Sequence, residues 1–472
     1  MTGRANVIGA GPNGVAAAIV LAQAGFEVHV YEAEPEPGGA ARTLPLTLPG
    51  FLHDFGSAVH PMAIGSPFFR SLPLEQYGLE WIHPSAPLAH PLDDGTAVML
   101  ERSFDTTAAN LRSDGQAWKR LFSPIADHWT ELAPDLLGPI NLIPRHPLRM
   151  GRLGVRALPP AHWLANHEFR GMRAKALFAG LAAHSVLSLY EVLSSAFGLI
   201  LGATAHAVGW PIPRGGAGAI TNALCRRLES VGGKIHVSYP VRSLHDLPAV
   251  SLTICDLTPR QVLDIAGDRL TPEYRRRMQR WRYGPGVFKV DYALSEPIPW
   301  KSADCRRSAT VHIGGTLEEI AESEAAMRAG KHAGRPFVLL AQPTLFDPSR
   351  APEGRHTAWA YCHVPNGSDF NMLPRLESQI ERFAPGFRDC ILATQVFTPA
   401  ALHARDANLV GGDIGGGAID LQQFLFRPTG KYYATSAPDI YICSSSTPPG
   451  GGVHGMCGFH AATMALRRLR RQ

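Results

Sequence analysis

The feature that most constrains this chain is a glycine pattern near its start. Gly9, Gly11 and Gly14 follow the apolar pair Val7-Ile8 and open onto Val15–Gly25, a stretch rich in alanine, valine, isoleucine and leucine. A second apolar alternation, Phe26, Val28 and Val30, ends on Glu32 and Ala33. The order is strand, glycine turn, helix, strand. Gly9 makes the tight turn, Gly11 lets backbone amides reach a pyrophosphate, and Gly14 lets helix and strand pack closely. Pro12 and Asn13 stand in the glycine turn, and the helix N-terminus after it faces the phosphates with its positive end. Glu32, roughly 20 residues on, is placed to accept from ribose hydroxyls and disfavours a 2′-phosphate. The pattern predicts dinucleotide binding. The competing reading is a glycine turn in an ordinary α/β unit.

With 472 residues the chain is too long for one core, which predicts two intimately joined domains. Hydrophobic residues make up 45% and charged residues 18%, so it is globular. The net charge of +5 is scattered, and no nucleic-acid motif is present, so nucleic acid is not an expected partner. Seven cysteines stand far apart without any CxxC. That scatter favours free thiols in a reducing compartment such as the cytoplasm. The first strand begins almost at once, so no signal peptide is expected. Leu193 to Gly209 is apolar but short, and a buried helix is expected there rather than a membrane span.

Phe51 to Pro61 contains His53-Asp54 and Gly56-Ser57. Its polar pair is suited either to approach a cofactor or to cap a turn. From Leu88 to Leu201 the pattern is helical, with a long apolar stretch over Ala174–Leu201. Apolar helices with few polar points suit a lipophilic pocket, although each such residue alone suits an ordinary core. Arg214-Gly215-Gly216 leads into a helix over Ala219–Val231, which Gly232-Gly233 ends. Ile235, Val237 and Val241 follow as a strand, then Val250–Asp256 as another. Gly284–Trp300 and Phe337–Val364 read as strands of an antiparallel or mixed sheet, and Leu317–Gly330 and Leu373–Phe383 as helices.

Near the C-terminus, strand Asp439–Cys443, loop Ser444–Gly452 and helix Val453–Arg468 form a second such unit. Gly450, Gly452 and Gly455 repeat the glycine spacing, but no second strand with a terminal acid follows and Pro448-Pro449 interrupts the loop. This helix start is expected to serve the same cofactor through Ser445, Gly452, Val453 and His454. His454, Cys457 and His460 are spread too widely around a helix for a metal, and none is expected. The run Arg467-Arg468-Leu469-Arg470-Arg471 suits a solvated helix end, and attraction to an anionic membrane surface is its sharper reading.

These residues carry a resemblance. Gly38-Gly39 with Arg42 resembles the extended motif of the glutathione-reductase-type FAD family, in which the pair and a basic residue continue along the diphosphate. Val7–Arg42, His53–Pro61, Gly411–Ile414 with Arg427-Pro428, and Tyr441–Ala462 together resemble the phytoene-desaturase-like FAD oxidoreductases. Within them the likeness is to the branch of pyridine nucleotide-disulfide oxidoreductase domain-containing protein 2. The resemblance implies an α/β fold: a discontinuous, Rossmann-like FAD-binding domain of glutathione-reductase type with a mixed-sheet and helical substrate domain. The expected division is 1–87, 210–283 and 401–472 for FAD, and 88–209 and 284–400 for substrate. By the same resemblance Ser57 approaches the flavin and Val241 lends backbone atoms to the adenine.

The implied activity is desaturation, or its reverse, of an apolar small molecule by hydride transfer. Gly452-Val453-His454-Gly455 departs from the Pro-Gly pair usual in carotenoid desaturases, which weakens phytoene as the substrate. No catalytic residue is assigned; His60, His184, His206 and His454 are candidates. Two rivals stand beside this reading: an amine-oxidase-like enzyme with an aromatic cage, and a non-catalytic lipid escort, since Rab GDP-dissociation inhibitors share the fold without flavin.

Overall fold

The computed structural model describes residues 3–140 and 143–471. A five-stranded parallel sheet runs in the order Ile440–Ile442, Leu252–Cys255, Arg4–Ile8, Glu27–Tyr31, Lys234–His236. Three separated stretches of sequence thus supply one sheet. The Arg4 strand lies at its centre, so the Gly9 turn opens at the carboxyl edge, where ligands of open α/β sheets bind.

Helix Pro12–Gln23 and helix Met456–Leu469 pack against each other and both contact this sheet. Glycine is required at the crossing: a Cβ on Gly458 would lie 1.9 Å from the Asn13 carbonyl oxygen. The terminal helix begins at Met456 rather than Val453, because Gly455 takes φ +68° and sets its start. Val453 and His454 therefore belong to the loop.

The second sheet has seven strands: Ile391–Phe397, Gly286–Leu294, His356–Val364, Val338–Ala341, Ser308–Ile313, Ala86–Pro91 and Ala97–Leu100. Its pairings are antiparallel except for Ser308–Ile313 on Ala86–Pro91, so the sheet is mixed. One face holds a core of Phe288, Val290, Tyr292, Ala358, Ala360 and Cys362. The other faces segment 53–60 and the helices.

Helices Leu317–Arg328 and Leu373–Phe383 form where the sequence places them. Three further expectations need correction. The stretch from Leu88, read as helical, opens with the strands Ala86–Pro91 and Ala97–Leu100. The stretch Ala174–Leu201 is two helices, Met172–Ala183 and Ser194–Ala207. Ser185 and Ser188 accept from the amides of Leu187 and Tyr190, offering the backbone an alternative to helix, and Val186 and Leu193 take positive φ. The strand after Gly233 covers only Lys234–His236, so Val237 and Val241 lie outside it. No helix among the described residues is long and apolar enough to cross a membrane.

Candidate functional site

The first glycine turn is held at both ends by carboxylates. Glu32 is buried, with Oε2 accepting from the Ala10 amide at 2.8 Å and Oε1 from Glu34 at 3.0 Å. Gly14 donates to Asp256 Oδ2 at 2.9 Å. Asp256 was legible only as the end of an apolar strand. The parallel register places it beside the turn, where a Cβ on Gly11 would meet its Oδ2 at 2.7 Å.

Burial pushes the Asp256 carboxyl up to about 7 against the pull of the Gly14 amide, with Asp406 and Glu32 adding to the rise. The folded protein thus holds a proton that the unfolded chain releases near pH ~4. Stability from this group is full below that pH and is lost as pH rises to about 7, by at most about 4 kcal/mol. Asp256→Asn will make the melting temperature of flavin-free protein fall less steeply between those pH values. Parallel wild-type and variant profiles would refute this account of Asp256.

Gly38 and Gly39 take φ +133° and +53°, and a Cβ on Gly39 would stand 3.5 Å from the Gly11 Cα. The two glycine turns therefore face each other closely. Arg42 lies beneath, donating to the Gly39 and Arg405 carbonyls at 2.8 and 3.2 Å and pairing with Glu34 at 3.1 Å. Its role within the chain is to hold the second turn. Ala33 is exposed beside Glu32. Tyr239 and Ser238 donate to the Glu32 and Glu34 carbonyls, which brings the half-buried Val241 to this edge.

The C-terminal loop arrives from the other side. Buried Arg427 donates to the carbonyls of Ser445 and Gly415, at 2.9 and 3.1 Å, and lies over the Trp281 ring. The Ser66 hydroxyl donates to the His454 carbonyl at 2.7 Å, and a Cβ on Gly452 would lie 3.8 Å from the Met62 Cβ. Segment 53–66 and loop 444–455 are thus neighbours. His454 Nδ1 accepts from the Met456 amide, while burial holds its imidazole down at about 4. Cys457 Sγ is bound to the Thr447 and Gly450 carbonyls, and His460 Nε2 lies 3.1 Å from the Leu137 carbonyl oxygen. These three side chains do not converge.

Facing segment 53–60 is one side of the mixed sheet. Strand alternation puts Val287, Lys289 and Asp291 on this side, beside His363, Tyr361 and Trp359 in register. Trp359 and Tyr361 stack at 5.5 Å, against Ala58 and Val59. Lys289 pairs with Asp291, and Arg350 with Asp54 at 3.0 Å. Asp54 also accepts from the Ala217 amide, so it caps the entry to helix Gly218–Ser230. Tyr361 and His184 are half-buried.

The candidate histidines separate clearly. His206 is bound by Trp118 at 2.9 Å and stacked on Phe104, a structural role. His184 Nε2 lies 2.9 Å from His312 Nε2, and burial depresses His184 to about 3, so it stays neutral. His60 is buried beside Trp81, and its Nε2 has no hydrogen-bond partner among the described residues. Lys289, His312 and His363 escaped the sequence reading because each looks like an ordinary strand position. The one signal was a Lys–Asp pair two residues apart in an apolar strand.

The model of the family described as flavin containing amine oxidoreductase matches residues 14–361. The chain belongs to this family. It is 27% identical to pyridine nucleotide-disulfide oxidoreductase domain-containing protein 2 of Mus musculus, over 98% of this chain and 93% of the mouse protein. It is 24% identical to a lycopene-forming phytoene desaturase of Pseudescherichia vulneris, over 98% of both chains. Among solved structures, an oxidoreductase from Methanosarcina mazei superposes with TM-score 0.66 at 17% identity, over 98% of this chain and 100% of the other. Putrescine oxidase bound to putrescine gives 0.63 at 17% identity over the full length of both. At these identities the structures speak to the fold: it is that of FAD-dependent amine oxidases.

This flavin oxidoreductase uses FAD. The residues present fit that cofactor. The two glycine turns approach each other with no side chain on Gly11 or Gly39, and Asn13 Oδ1, Ser57 Oγ and His454 Nε2 are buried without a hydrogen-bond partner among the described residues.

Proposed function

We propose that this flavin oxidoreductase desaturates a lipophilic organic substrate: a hydride leaves one C–H bond for the flavin, the adjacent carbon releases a proton to water, and a carbon–carbon double bond remains. In this reading the adenosine end of FAD is held by Glu32, Ala33 and Val241, and the diphosphate by Gly9, Gly11, Pro12, Asn13, Gly14, Gly38 and Gly39, with Arg42 positioning the second turn. Ser57, Ser445, Gly452, Val453 and His454 hold the flavin end. When bound, FAD supplies the hydride acceptor.

The observation that carries the substrate class is the wall opposite segment 53–60. The stacked Trp359–Tyr361 pair and Ala341 form an apolar platform that meets Ala58 and Val59 of that segment, while the charged side chains beside it are paired: Lys289 with Asp291, Arg350 with Asp54, Glu324 with His363. The platform offers an apolar body contact area at no cost in unpaired charge. His184 and His312 remain neutral, so they add hydrogen-bonding capacity and no charge. The full-length likeness to phytoene desaturases supports the same class.

The test is anaerobic mixing of the yellow protein with separate reductants while flavin absorbance is followed. Acyclic isoprenoids are expected to bleach it, whereas NADH and NADPH are not. Rapid bleaching by a nicotinamide would make the enzyme a reductase. Bleaching by benzylamine or putrescine, with hydrogen peroxide released on admitting air, would move the assignment to amine oxidation.

A further inference from the structure

One surface of the helical region carries an arrangement that the flavin site does not use. Helix Pro147–Ala157 buries a single side chain, Leu153. Leu148 and Val155, seven residues apart and hence on one face, are 82% and 75% exposed. Arg152, between them on that face, is exposed too. The apolar surface continues through Leu158, Trp163 and Tyr190, each about half exposed at 51%, 53% and 50%. They are contiguous: the Leu193 amide donates to the Leu158 carbonyl, the His162 amide to the Leu189 carbonyl, and the His162 and Tyr190 rings lie 4.7 Å apart.

The charge on this surface has one sign. Between Asp135 and Glu168 the chain has no carboxylate, yet it contains Arg145, Arg149, Arg152 and Arg156. Glu131 engages Arg149 at one edge, and Glu191 at the other is tied to Arg328. Exposed leucine, valine and tryptophan interleaved with arginine, on a helix lying flat on the molecule, match the chemistry of an anionic lipid–water interface, where apolar side chains enter the acyl boundary and guanidinium groups meet phosphates.

We propose that the face built from helix Pro147–Ala157, Leu158–Trp163 and Tyr190 seats this enzyme on an anionic membrane surface.

The experiment is flotation of the FAD-loaded full chain with vesicles of mixed phosphatidylglycerol and phosphatidylcholine, and with pure phosphatidylcholine. The protein is expected to float with the anionic vesicles, less at high salt, and to stay behind with neutral ones. Leu148→Glu with Val155→Glu is expected to weaken binding at least roughly tenfold, and Arg152→Glu with Arg156→Glu to do likewise. Leu148, Arg152 and Val155 are exposed and Arg156 lies at the rim, so flavin content and melting temperature are expected to stay at wild-type values, which separates a binding defect from misfolding. Failure of the wild type to float would overturn the proposal, as would variants that float equally well. A concentration-dependent dimer that the same substitutions dissolve, without flotation, would assign the face to self-association instead.

Discussion

Gly14→Ala will abolish stable FAD retention and destabilise the flavin-free protein, whereas Gly11→Ala will spare the fold and lose the flavin. The difference lies in what each new methyl group meets. At Gly14 a Cβ would stand 2.0 Å from the Gly9 carbonyl oxygen and 3.1 Å from the Asp256 Cβ. The first contact is backbone, in a turn already fixed by the Gly9 amide bonding to the Tyr31 carbonyl. Nothing there swings aside: the helix must lift off the strand. Helix Pro12–Gln23 cannot lift freely, because Gly458 of the terminal helix is pressed against the Asn13 carbonyl. A forced shift of packed backbone costs more than the 1–3 kcal/mol usual for an overpacked core, so roughly 3 kcal/mol or more is expected. At Gly11 the nearest atom is Asp256 Oδ2, the end of a side chain, which yields by rotation at the cost of straining its bond from the Gly14 amide, about 1 kcal/mol and less than a shift of packed backbone. What Gly11→Ala removes is room for a pyrophosphate near the helix amides. Melting of the flavin-free proteins and FAD release by fluorescence separate the two effects. Equal losses of stability would show that the Gly14 contact does not govern packing.

The dinucleotide unit was legible because its signals are local. Turn, helix and strand are specified by residues within one short segment, and the acid that ends it has no structural competitor. The same locality made the mixed sheet and helices Leu317–Arg328 and Leu373–Phe383 readable from alternation and helical spacing. Asp256 was not legible as a site residue, since only the parallel register of Leu252–Cys255 beside Arg4–Ile8 brings it under Gly14. The wall opposite segment 53–60 was hidden for the same reason. Lys289, Tyr361 and His363 come from strands more than 60 residues apart in sequence, and their meeting is a matter of pairing. The end of the Gly218 helix was anticipated, but the Asp54 cap on its start was not: the sequence offered Asp54 only as a local turn cap or a cofactor contact, and the amide it accepts from lies 163 residues away. The broken helix at 184–193 was missed because serine side chains bonding their own backbone leave no mark on apolar periodicity.

Lys289→Met will destabilise the protein by roughly 3–5 kcal/mol, and adding Asp291→Leu will recover most of that loss. Both side chains are buried, at 3% and 0% exposure, and they pair two positions apart on one strand. Burial lowers Lys289 and raises Asp291, and their mutual attraction offsets only part of each. Removing the lysine leaves a carboxyl whose remaining basic neighbour, His53 at 3.8 Å, is held neutral by burial, and which lies close to a second carboxylate, Asp54, that also raises it. Asp291 then meets the cost by taking a proton. Because the folded value is raised above that of the unfolded chain, the added penalty is small in acid and grows as pH rises through the folded value. The single variant should therefore lose more melting temperature at pH ~8 than at pH ~5, beyond the change seen in wild type. The double variant carries no charge on that stretch and should show neither the loss nor the added pH dependence. Asp54 remains tied to Arg350 in all forms, so the comparison isolates the one pair. A double variant no more stable than Lys289→Met would mean that the cost lies in lost packing of the lysine stem between Trp359 and Phe397, over whose rings Nζ lies at 5.7 and 5.3 Å, rather than in an unpaired charge.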